Sequence, residues 1–176
     1  MTHEFANRKL AYIRDLFVFA SFTALSFVDI KELTTDDIAE VNGEKWILSK
    51  RHKTKVNFQV KLLDIPLQVI KRYERFQENG LVFPNLNYWS ICKPLKQMIR
   101  ECGITKNISF HSSRHGFATL ALSKGVPIES VSRVLGHTNI VTTQKYCKIT
   151  TEKIDKGLTM FGDRLNQSFH EISIAM

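Results

Sequence analysis

The sequence predicts an α+β fold that is mostly α, with a small antiparallel β-sheet inserted after the second helix. Apolar residues recur every three or four positions along most of the 176 residues, whereas strand-like patterns are confined to residues 37–62. Hydrophobic residues make up 43% of the chain and charged residues 24%, a balance that favours a packed core over disorder. Because no repeat and no linker rich in proline, glycine or serine interrupts the chain, we expect one domain over residues 1–165.

Two helices are predicted before the sheet. Leu10, Ile13 and Phe17 lie on one face of a helix over residues 4–20, and a second, short helix fits residues 28–33. The longest uncharged stretch, residues 16–28, is well short of the ~20 residues that span a bilayer. We therefore expect it to be part of the core.

Three strands are predicted next. Residues 37–41 and 45–49 flank the turn signal Asn42-Gly43, and residues 56–62 alternate between apolar and polar side chains. The last two strands are joined by the basic sequence KRHKTK, residues 50–55. This arrangement predicts a hairpin with a positively charged tip.

The helical period returns after Pro66. Pro127 stands at a favoured first-turn position, and Gly103, Gly125 and Gly136 follow predicted helix ends. The predicted helices cover residues 67–77, 88–102, 111–124, 127–136, 141–149 and 152–165. Residues 166–176 are expected to form a flexible tail.

The composition favours a polyanionic partner. The net charge is +8 and the isoelectric point about 9.5, so nucleic acid is the first interpretation, an anionic membrane surface the second, and a solubilising charge excess the plain alternative. Met1 is followed by THEFANRK, which lacks the apolar stretch of a signal peptide. The three cysteines form no CxxC pair, which fits reduced thiols and a cytoplasmic location.

Four side chains between His111 and Tyr146 carry the functional prediction. His111 and Arg114 are three residues apart at the start of a helix and share one face, and the arginine fork suits two phosphate oxygens. His137 follows the helix-ending Gly136, and Tyr146 comes nine residues later. Each alone has a plain interpretation: a solvated helix face, an ordinary helix stop and a half-buried tyrosine. Together they are what a tyrosine needs to attack a DNA phosphodiester.

The combination resembles the tyrosine recombinase (phage integrase) family over about residues 8–160. The matching strings are FTALSFVDIKELTTDDI, HSSRHGFATLALSKG and SVSRVLGHTNIVTTQKY. They are especially similar to integrases of bacterial conjugative transposons and related mobile elements. The resemblance implies the family's helical catalytic fold and a site-specific recombinase that breaks and rejoins DNA.

The resemblance also implies a role for each position. Tyr146 is the expected nucleophile, which forms a 3′-phosphotyrosyl bond and releases a 5′-hydroxyl. Arg114 is expected to hold the phosphate, with His111 acting beside it in proton transfer, and His137 to donate to a non-bridging oxygen. Lys53, at the hairpin tip, is expected to protonate the leaving oxygen, although Lys50, Arg51 and Lys55 are neighbours that could be confused with it.

One position departs from the family pattern. Where relatives have FTGLRxxD this chain has FTALSFVD, so Ser26 stands in place of the first arginine. The loss of one charged phosphate ligand costs on the order of 10²–10³ in rate. We therefore expect another cation to substitute, and Arg14 and Lys31 are the candidates nearest in sequence.

The resemblance implies that the partner is double-stranded DNA and that four copies of the protein assemble on it. No cofactor, metal or membrane is expected, and the chain alone is expected to be monomeric. Residues 152–165 carry an apolar face, which fits either docking on a neighbouring subunit or packing on the chain's own core. An upstream core-binding domain is expected but absent, as in an excised catalytic fragment. Two alternatives stay open: a DNA-binding module without catalysis, favoured by Ser26, and a type IB topoisomerase, disfavoured by the LGH string.

Overall fold

The computed structural model describes residues 7–52, 55–147 and the helical segment 151–174, with side chains of that segment described at 155 and 157–167. The chain divides into two compact units, residues 1–146 and 147–176. No helix in the described ranges is both long and apolar enough to cross a membrane.

Helix α1, Arg8–Thr23, forms the centre of the first unit and packs against three other helices. Asn7 caps its start by accepting a hydrogen bond from the backbone N–H of Lys9, 2.9 Å away. It ends at Ala24, whose φ of 57° is left-handed. The predicted helix over residues 4–20 is thus confirmed with a later end, and residues 1–6 lie outside the described part. Leu16, Phe19 and Ala20 are fully buried.

A second helix, α2, follows directly as Phe27–Lys31. It begins one residue earlier than predicted because Ser26 and Asp29 form a capping box, in which the side-chain oxygen of each residue accepts a hydrogen bond from the backbone N–H of the other. The family's arginine position is therefore the N-cap of this helix. This local role suits serine.

The sheet is a three-stranded antiparallel meander in the order β1-β2-β3. The strands are β1, Ile38–Val41; β2, Glu44–Lys50; and β3, Asn57–Lys61. Asn42 and Gly43 connect β1 and β2 with positive φ of 53° and 76°, as an Asn-Gly hairpin turn requires. Lys50 pairs with Asn57 at the far end of β2 and β3, and beyond it Arg51 donates its backbone N–H to Val56 at 2.8 Å.

Five further helices complete the first unit. Their bounds are α3, Asp64–Tyr73; α4, Tyr88–Glu101; α5, His111–Ser123; α6, Ile128–Leu135; and α7, Val141–Gln144. Short 3-10 turns cover Thr35–Asp37 and Glu74–Phe76. The prediction of a helix through residue 149 is wrong at residues 145–147, which are a turn and an irregular residue. The remaining residues of that prediction, 148 and 149, lie outside the described part.

The second unit contains helix α8, Thr151–Ile174. It extends the predicted helix over residues 152–165 and includes most of the segment expected to be a tail. The backbone there is helical, while the flexibility of residues 166–176 stays a prediction. Among the described side chains of α8, Leu158, Met160, Phe161 and Leu165 are exposed.

The core lies between α1, the sheet and helices α3 to α5. Aromatic rings meet edge to face within it: Phe19 and Phe83 have centroids 5.0 Å apart and interplanar angles of 67°. A buried carboxylate, Asp15, ties α1 to α3 by accepting hydrogen bonds from Arg72 at 2.6 Å and Tyr73 at 2.8 Å. The predicted class, mostly α with a small antiparallel sheet, is confirmed.

We expect Phe19→Ala to lower the free energy of unfolding by about 3–5 kcal/mol, because it removes a fully buried ring and leaves a cavity. Phe76→Ala is the matched control, since its ring is 57% exposed, and we expect it to cost about 1 kcal/mol or less. Urea titration followed by circular dichroism measures both. Equal losses would contradict the placement of Phe19 in the core.

Candidate active site

Arg114 lies in the first turn of α5 and connects the ends of two other helices. One terminal nitrogen, Nη1, donates to the carbonyl of Ala24 at 2.8 Å, and the other, Nη2, donates to the carbonyl of Leu135. Ala24 ends α1 and Leu135 is the last residue of α6, where carbonyls lack helical partners and carry partial negative charge. A guanidinium has five N–H groups. Those not used on the described carbonyls remain for a ligand.

The surroundings of Arg114 make its charged form less favourable than it would be in water. Burial lowers its pKa to about 10, and the nearby Arg51 charge contributes, while Asp29 and Tyr146 partly offset both effects. The group remains cationic at neutral pH because 10 is far above 7. The buried Arg51 and the partly buried Arg114 together form a site of positive potential, which favours an anionic ligand.

His137 follows the left-handed turn at Gly136, whose φ is 60° and ψ 39°. Its Nδ1 lies 2.9 Å from the hydroxyl of Thr143, which is fully buried. Burial lowers the pKa of His137 to about 4, with contributions from Arg114, Lys145 and Arg51. The imidazole is therefore neutral near pH 7. If Nδ1 accepts the hydroxyl proton of Thr143, then Nε2 carries the hydrogen that can be donated to a ligand.

Three aromatic rings form a series that includes the predicted nucleophile. The His111 and His115 rings have centroids 4.5 Å apart at 87°, and the His115 and Tyr146 rings have centroids 5.3 Å apart at 52°. His111 and His115 are one turn apart on α5. Burial lowers the pKa of His111, as do the charges of His115, Arg114 and Lys145. The rings therefore bring Tyr146 to the same face of α5 as His111.

Tyr146 reaches this position from the turn that follows α7. Its backbone N–H donates to Thr143 at 3.0 Å, and the Lys145 ammonium lies 5.0 Å from the centre of its ring. The phenol is close enough to Arg114 for their charges to interact. The structure thus brings together four residues predicted from the sequence: Tyr146, Arg114, His111 and His137.

Ser26 has no positive charge to offer a phosphate, but the guanidinium of Arg51 lies next to Ser26. The Ser26 hydroxyl and Arg51 Nη1 both donate to the same oxygen of Asp29, at 2.7 and 2.6 Å. Burial by itself raises the pKa of Asp29, but the Arg51 charge and the hydrogen bonds outweigh it, so the pKa is lowered. An arginine from the hairpin therefore occupies the space next to the family's arginine position.

Arg51 is buried rather than part of a charged tip, which corrects the expectation for residues 50–55. It is 5% exposed, its Nη2 donates to the carbonyl of Val134 at 2.5 Å, and its guanidinium lies 3.9 Å from the centre of the Phe58 ring. Burial lowers its pKa, while Asp29 acts in the opposite direction. Its Nε has no hydrogen-bond partner within the described part of the chain.

The other predicted positions differ in their surroundings. Lys31 lines a cavity of about 590 Å³ together with Ser26 and His111. Arg14 forms an ion pair with Asp15 at 2.9 Å, within the packing of α1 on α3. Lys53 lies outside the described residues. Within the described ranges, no group of three or more His, Cys, Asp or Glu is placed to hold a metal ion.

Sequence reasoning missed three contributors. Arg51 was treated only as a neighbour of Lys53, and neither His115 nor Thr143 was among the predicted site residues. One signal for Arg51 was available, since a serine N-cap followed by Asp29 leaves a carboxylate that needs a cation if it is buried. Thr143 and His115 have no such signal, because their partners are set by tertiary packing.

We expect Gly136→Ala to be more destabilising than Gly125→Ala. Both glycines have positive φ, at 60° and 86°, so alanine costs about 1–2 kcal/mol at either. At Gly136 the new Cβ would also lie 2.7 Å from Cγ of Arg51, whereas nothing lies within 4 Å at Gly125. Overpacking adds roughly 1–3 kcal/mol. Urea midpoints compare the two variants, and equal losses would show that Arg51 does not pack on this turn.

The sequence is similar to those of curated tyrosine recombinases. Tyrosine recombinase XerD of Staphylococcus saprophyticus is 28% identical over 155 residues, which cover 81% of this chain and 52% of that protein. Tyrosine recombinase XerC of Myxococcus xanthus is 37% identical over 67 residues, covering 38% of this chain and 22% of that protein. The chain therefore spans about half the length, or less, of these curated relatives.

Solved structures share the fold. The XerH site-specific recombinase bound to difH substrate, a pre-cleavage complex, superposes with a TM-score of 0.71 at 23% identity, covering 90% of this chain and 49% of that one. The Tn1549 transposon integrase in complex with a circular intermediate DNA superposes with a TM-score of 0.69 at 16% identity, covering 87% and 62%. The family model described as "Phage integrase family" matches residues 3–153. Because that match covers most of the sequence, the chain belongs to the phage integrase family.

Proposed function

We propose that this chain is the catalytic part of a tyrosine-type site-specific recombinase, which breaks and rejoins DNA strands through a 3′-phosphotyrosyl intermediate. Family membership and the recombinase names of its relatives support the reaction class. The fold shared with recombinases solved on DNA supports double-stranded DNA as the partner. The net charge of +8 has the right sign for a duplex, and it predicts salt-dependent binding.

The observation that carries this proposal is the position of Arg114. Its guanidinium is anchored on backbone carbonyls, and its charge interacts with those of His111, His137 and Tyr146. A phosphate held by Arg114 would therefore lie near a hydrogen-bond donor, His137, and near the proposed nucleophile, Tyr146. Preorganised donors of this kind stabilise the charge that develops at phosphorus.

The proposed reaction has two reversible steps. The phenol oxygen of Tyr146 attacks the scissile phosphorus, the bond from phosphorus to the 5′-oxygen breaks, and the phenolic proton passes to His111, the group assigned to proton transfer, or to water. The 5′-oxygen leaves with a proton, so that a 5′-hydroxyl strand end forms. A 5′-hydroxyl then attacks the phosphotyrosine and restores the phosphodiester. The bond energy is conserved in the intermediate, so no ATP is required.

Besides Arg114, two groups are assigned to the phosphate, and one group is assigned to the leaving oxygen. His137 is neutral near pH 7 and donates from Nε2 to a non-bridging oxygen, with its tautomer set by Thr143. His111 acts beside Arg114 in proton transfer and phosphate contact. Lys53 protonates the leaving oxygen in this scheme, a role based on the family resemblance alone.

The charge of the missing first arginine is assigned to Arg51. Its guanidinium shares the Asp29 oxygen with Ser26, and its field lowers the pKa of both Arg114 and His137. It therefore acts on both groups that face the phosphate. Arg51 also neutralises Asp29, whose charge would otherwise repel the DNA.

The assembly on DNA is proposed to be tetrameric. The exposed apolar side chains of α8, Leu158, Met160, Phe161 and Leu165, support a role in contacts between subunits. Packing on the chain's own core would use the same residues. The assembly stays a prediction.

The first test is to trap a covalent protein–DNA adduct on a denaturing gel. A duplex with a nicked site, whose cleaved strand end diffuses away, should accumulate a phosphotyrosyl adduct with the wild-type chain. Tyr146→Phe should abolish the adduct and leave DNA affinity within about twofold, because only the nucleophilic oxygen is removed.

The adduct separates the proposal from its alternatives. An unchanged adduct with Tyr146→Phe would eliminate this nucleophile. Salt-dependent binding without any adduct from the wild type would favour a DNA-binding module. Relaxation of supercoiled DNA without site preference would favour a topoisomerase.

The second test moves the cation from residue 51 to residue 26. Arg51→Met should lower the rate of adduct formation by about 10²–10³-fold. It also leaves Asp29 buried without a charge partner, which costs about 3–5 kcal/mol. The double variant Ser26→Arg/Arg51→Met should recover stability and much of the rate, because an arginine at residue 26 lies three positions from Asp29.

Lys124→Met serves as the control for the loss of one positive charge, since Lys124 is exposed at the end of α5. A folded Arg51→Met variant that cleaves at the wild-type rate would refute the assignment. So would failure of the double variant to regain any rate although its stability returns. Losses with Lys31→Met or Arg14→Met instead would transfer the role to those residues.

A further inference from the structure

Tyr146 is held in the site by ring contacts rather than by hydrogen bonds of its phenol. Among the described residues, its phenol oxygen makes no hydrogen bond. The His115 ring lies 5.3 Å away between centroids, at 52°, and the Lys145 ammonium lies 5.0 Å from the ring centre. The contact with His115 is therefore the ring-to-ring contact that can orient the phenol relative to α5.

His115 links Tyr146 to the phosphate-binding face. It lies directly after Arg114, one helical turn beyond His111, and packs on the His111 ring with centroids 4.5 Å apart. His111, His115 and Tyr146 are thus in series, with α5 contributing the first two rings. A helix is a rigid element, so a ring on it can hold a residue that comes from a turn.

Burial and the charges around His115 lower its pKa and so favour the neutral form of its ring. Arg114 and His111 face it from α5, and Lys145 and Tyr146 face it from the end of α7. Burial lowers the pKa of His115, and the charges of Lys145 and Arg114 lower it further. A neutral imidazole packs against the phenol without adding a third positive charge to this cluster.

We propose that His115 is a positioning residue for the nucleophile, whose neutral ring holds the Tyr146 phenol beside Arg114 and His111. This inference rests on the proposed recombinase function. His115 makes no contact with the reacting atoms in this scheme and acts only through Tyr146. A misplacement of about 1 Å can cost 10²-fold in rate, so the ring contact is relevant to catalysis.

The first experiment observes the contact without DNA. The ring-proton NMR signals of Tyr146, identified by their loss in Tyr146→Phe, should shift as pH is lowered through the titration of His115. His111 and His137 also titrate, so the same signals are followed in His115→Phe, where the His115 component should disappear. Tyr146 signals that titrate identically in the wild type and His115→Phe would overturn the contact.

The second experiment measures the rate of adduct formation on the nicked duplex at saturating protein. His115→Ala should lower the rate roughly 10- to 100-fold and leave DNA affinity unchanged. His115→Phe keeps a flat ring and should recover most of the rate, with a weaker decline at low pH because one titrating group is removed. Thr119→Ala, an exposed change one turn further along α5, is the matched control and should behave as wild type.

The two variants separate positioning from other roles. A folded His115→Ala that reacts at the wild-type rate would overturn the inference. His115→Phe as slow as His115→Ala would also overturn it, because the ring nitrogens rather than the ring contact would then matter. If His115→Ala does not fold, His115→Leu, which has a side chain without a flat ring, takes its place.

The two experiments also distinguish this inference from the function on which it rests. If the wild type forms no adduct, the recombinase function fails, yet the NMR titration still decides whether His115 contacts Tyr146. If the wild type forms an adduct and His115→Ala is equally fast, the function stands and the positioning role fails.

Discussion

The site depends on one partly buried cation, Arg114, which joins the start of α5 to the ends of α1 and α6. Its two hydrogen bonds to backbone carbonyls, on Ala24 and Leu135, span separations of 90 and 21 residues. Hydrogen bonds to charged groups contribute about 1.5–3 kcal/mol each, so the guanidinium stabilises the fold while presenting its remaining N–H groups. Both carbonyls lie at helix ends that are closed by a left-handed residue, Ala24 after α1 and Gly136 after α6.

A second cation, Arg51, makes this constraint compatible with a serine at residue 26. The serine caps α2, and Asp29 accepts from both Ser26 and Arg51. A buried carboxylate without a positive partner would be costly, and a hairpin arginine meets that need over a separation of 22 residues. The Nε of Arg51 is buried without a hydrogen-bond partner among the described residues, and Gly136 approaches the Arg51 side chain closely, so this cation is tightly enclosed.

The elements could largely be predicted from the sequence, because apolar spacing and turn residues are local signals. The strands around Asn42-Gly43 and the helix that ends at Gly136 are examples. The sequence motifs also singled out His111, Arg114, His137 and Tyr146 as candidates. That these four residues lie close together could be seen only in the folded structure. Arg51 could not be placed in this way: its strand-end position predicts an exposed tip, whereas its partners Asp29 and Val134 come from distant segments. The extent of α7 was overestimated because Lys145 and Tyr146 continue a helix-like pattern while forming a turn.

The short helix α7 and the turn that follows it position two side chains of the candidate site at once. Thr143 bonds the ring of His137, and three residues later Tyr146 packs on His115. A shift of α7 that withdrew the tyrosine would also remove the hydroxyl that orients the histidine. In the proposed reaction, the loss of the attacking phenol and the loss of an aligned His137 are therefore one mechanical event, so a displacement of this segment would remove both contributions by a single movement.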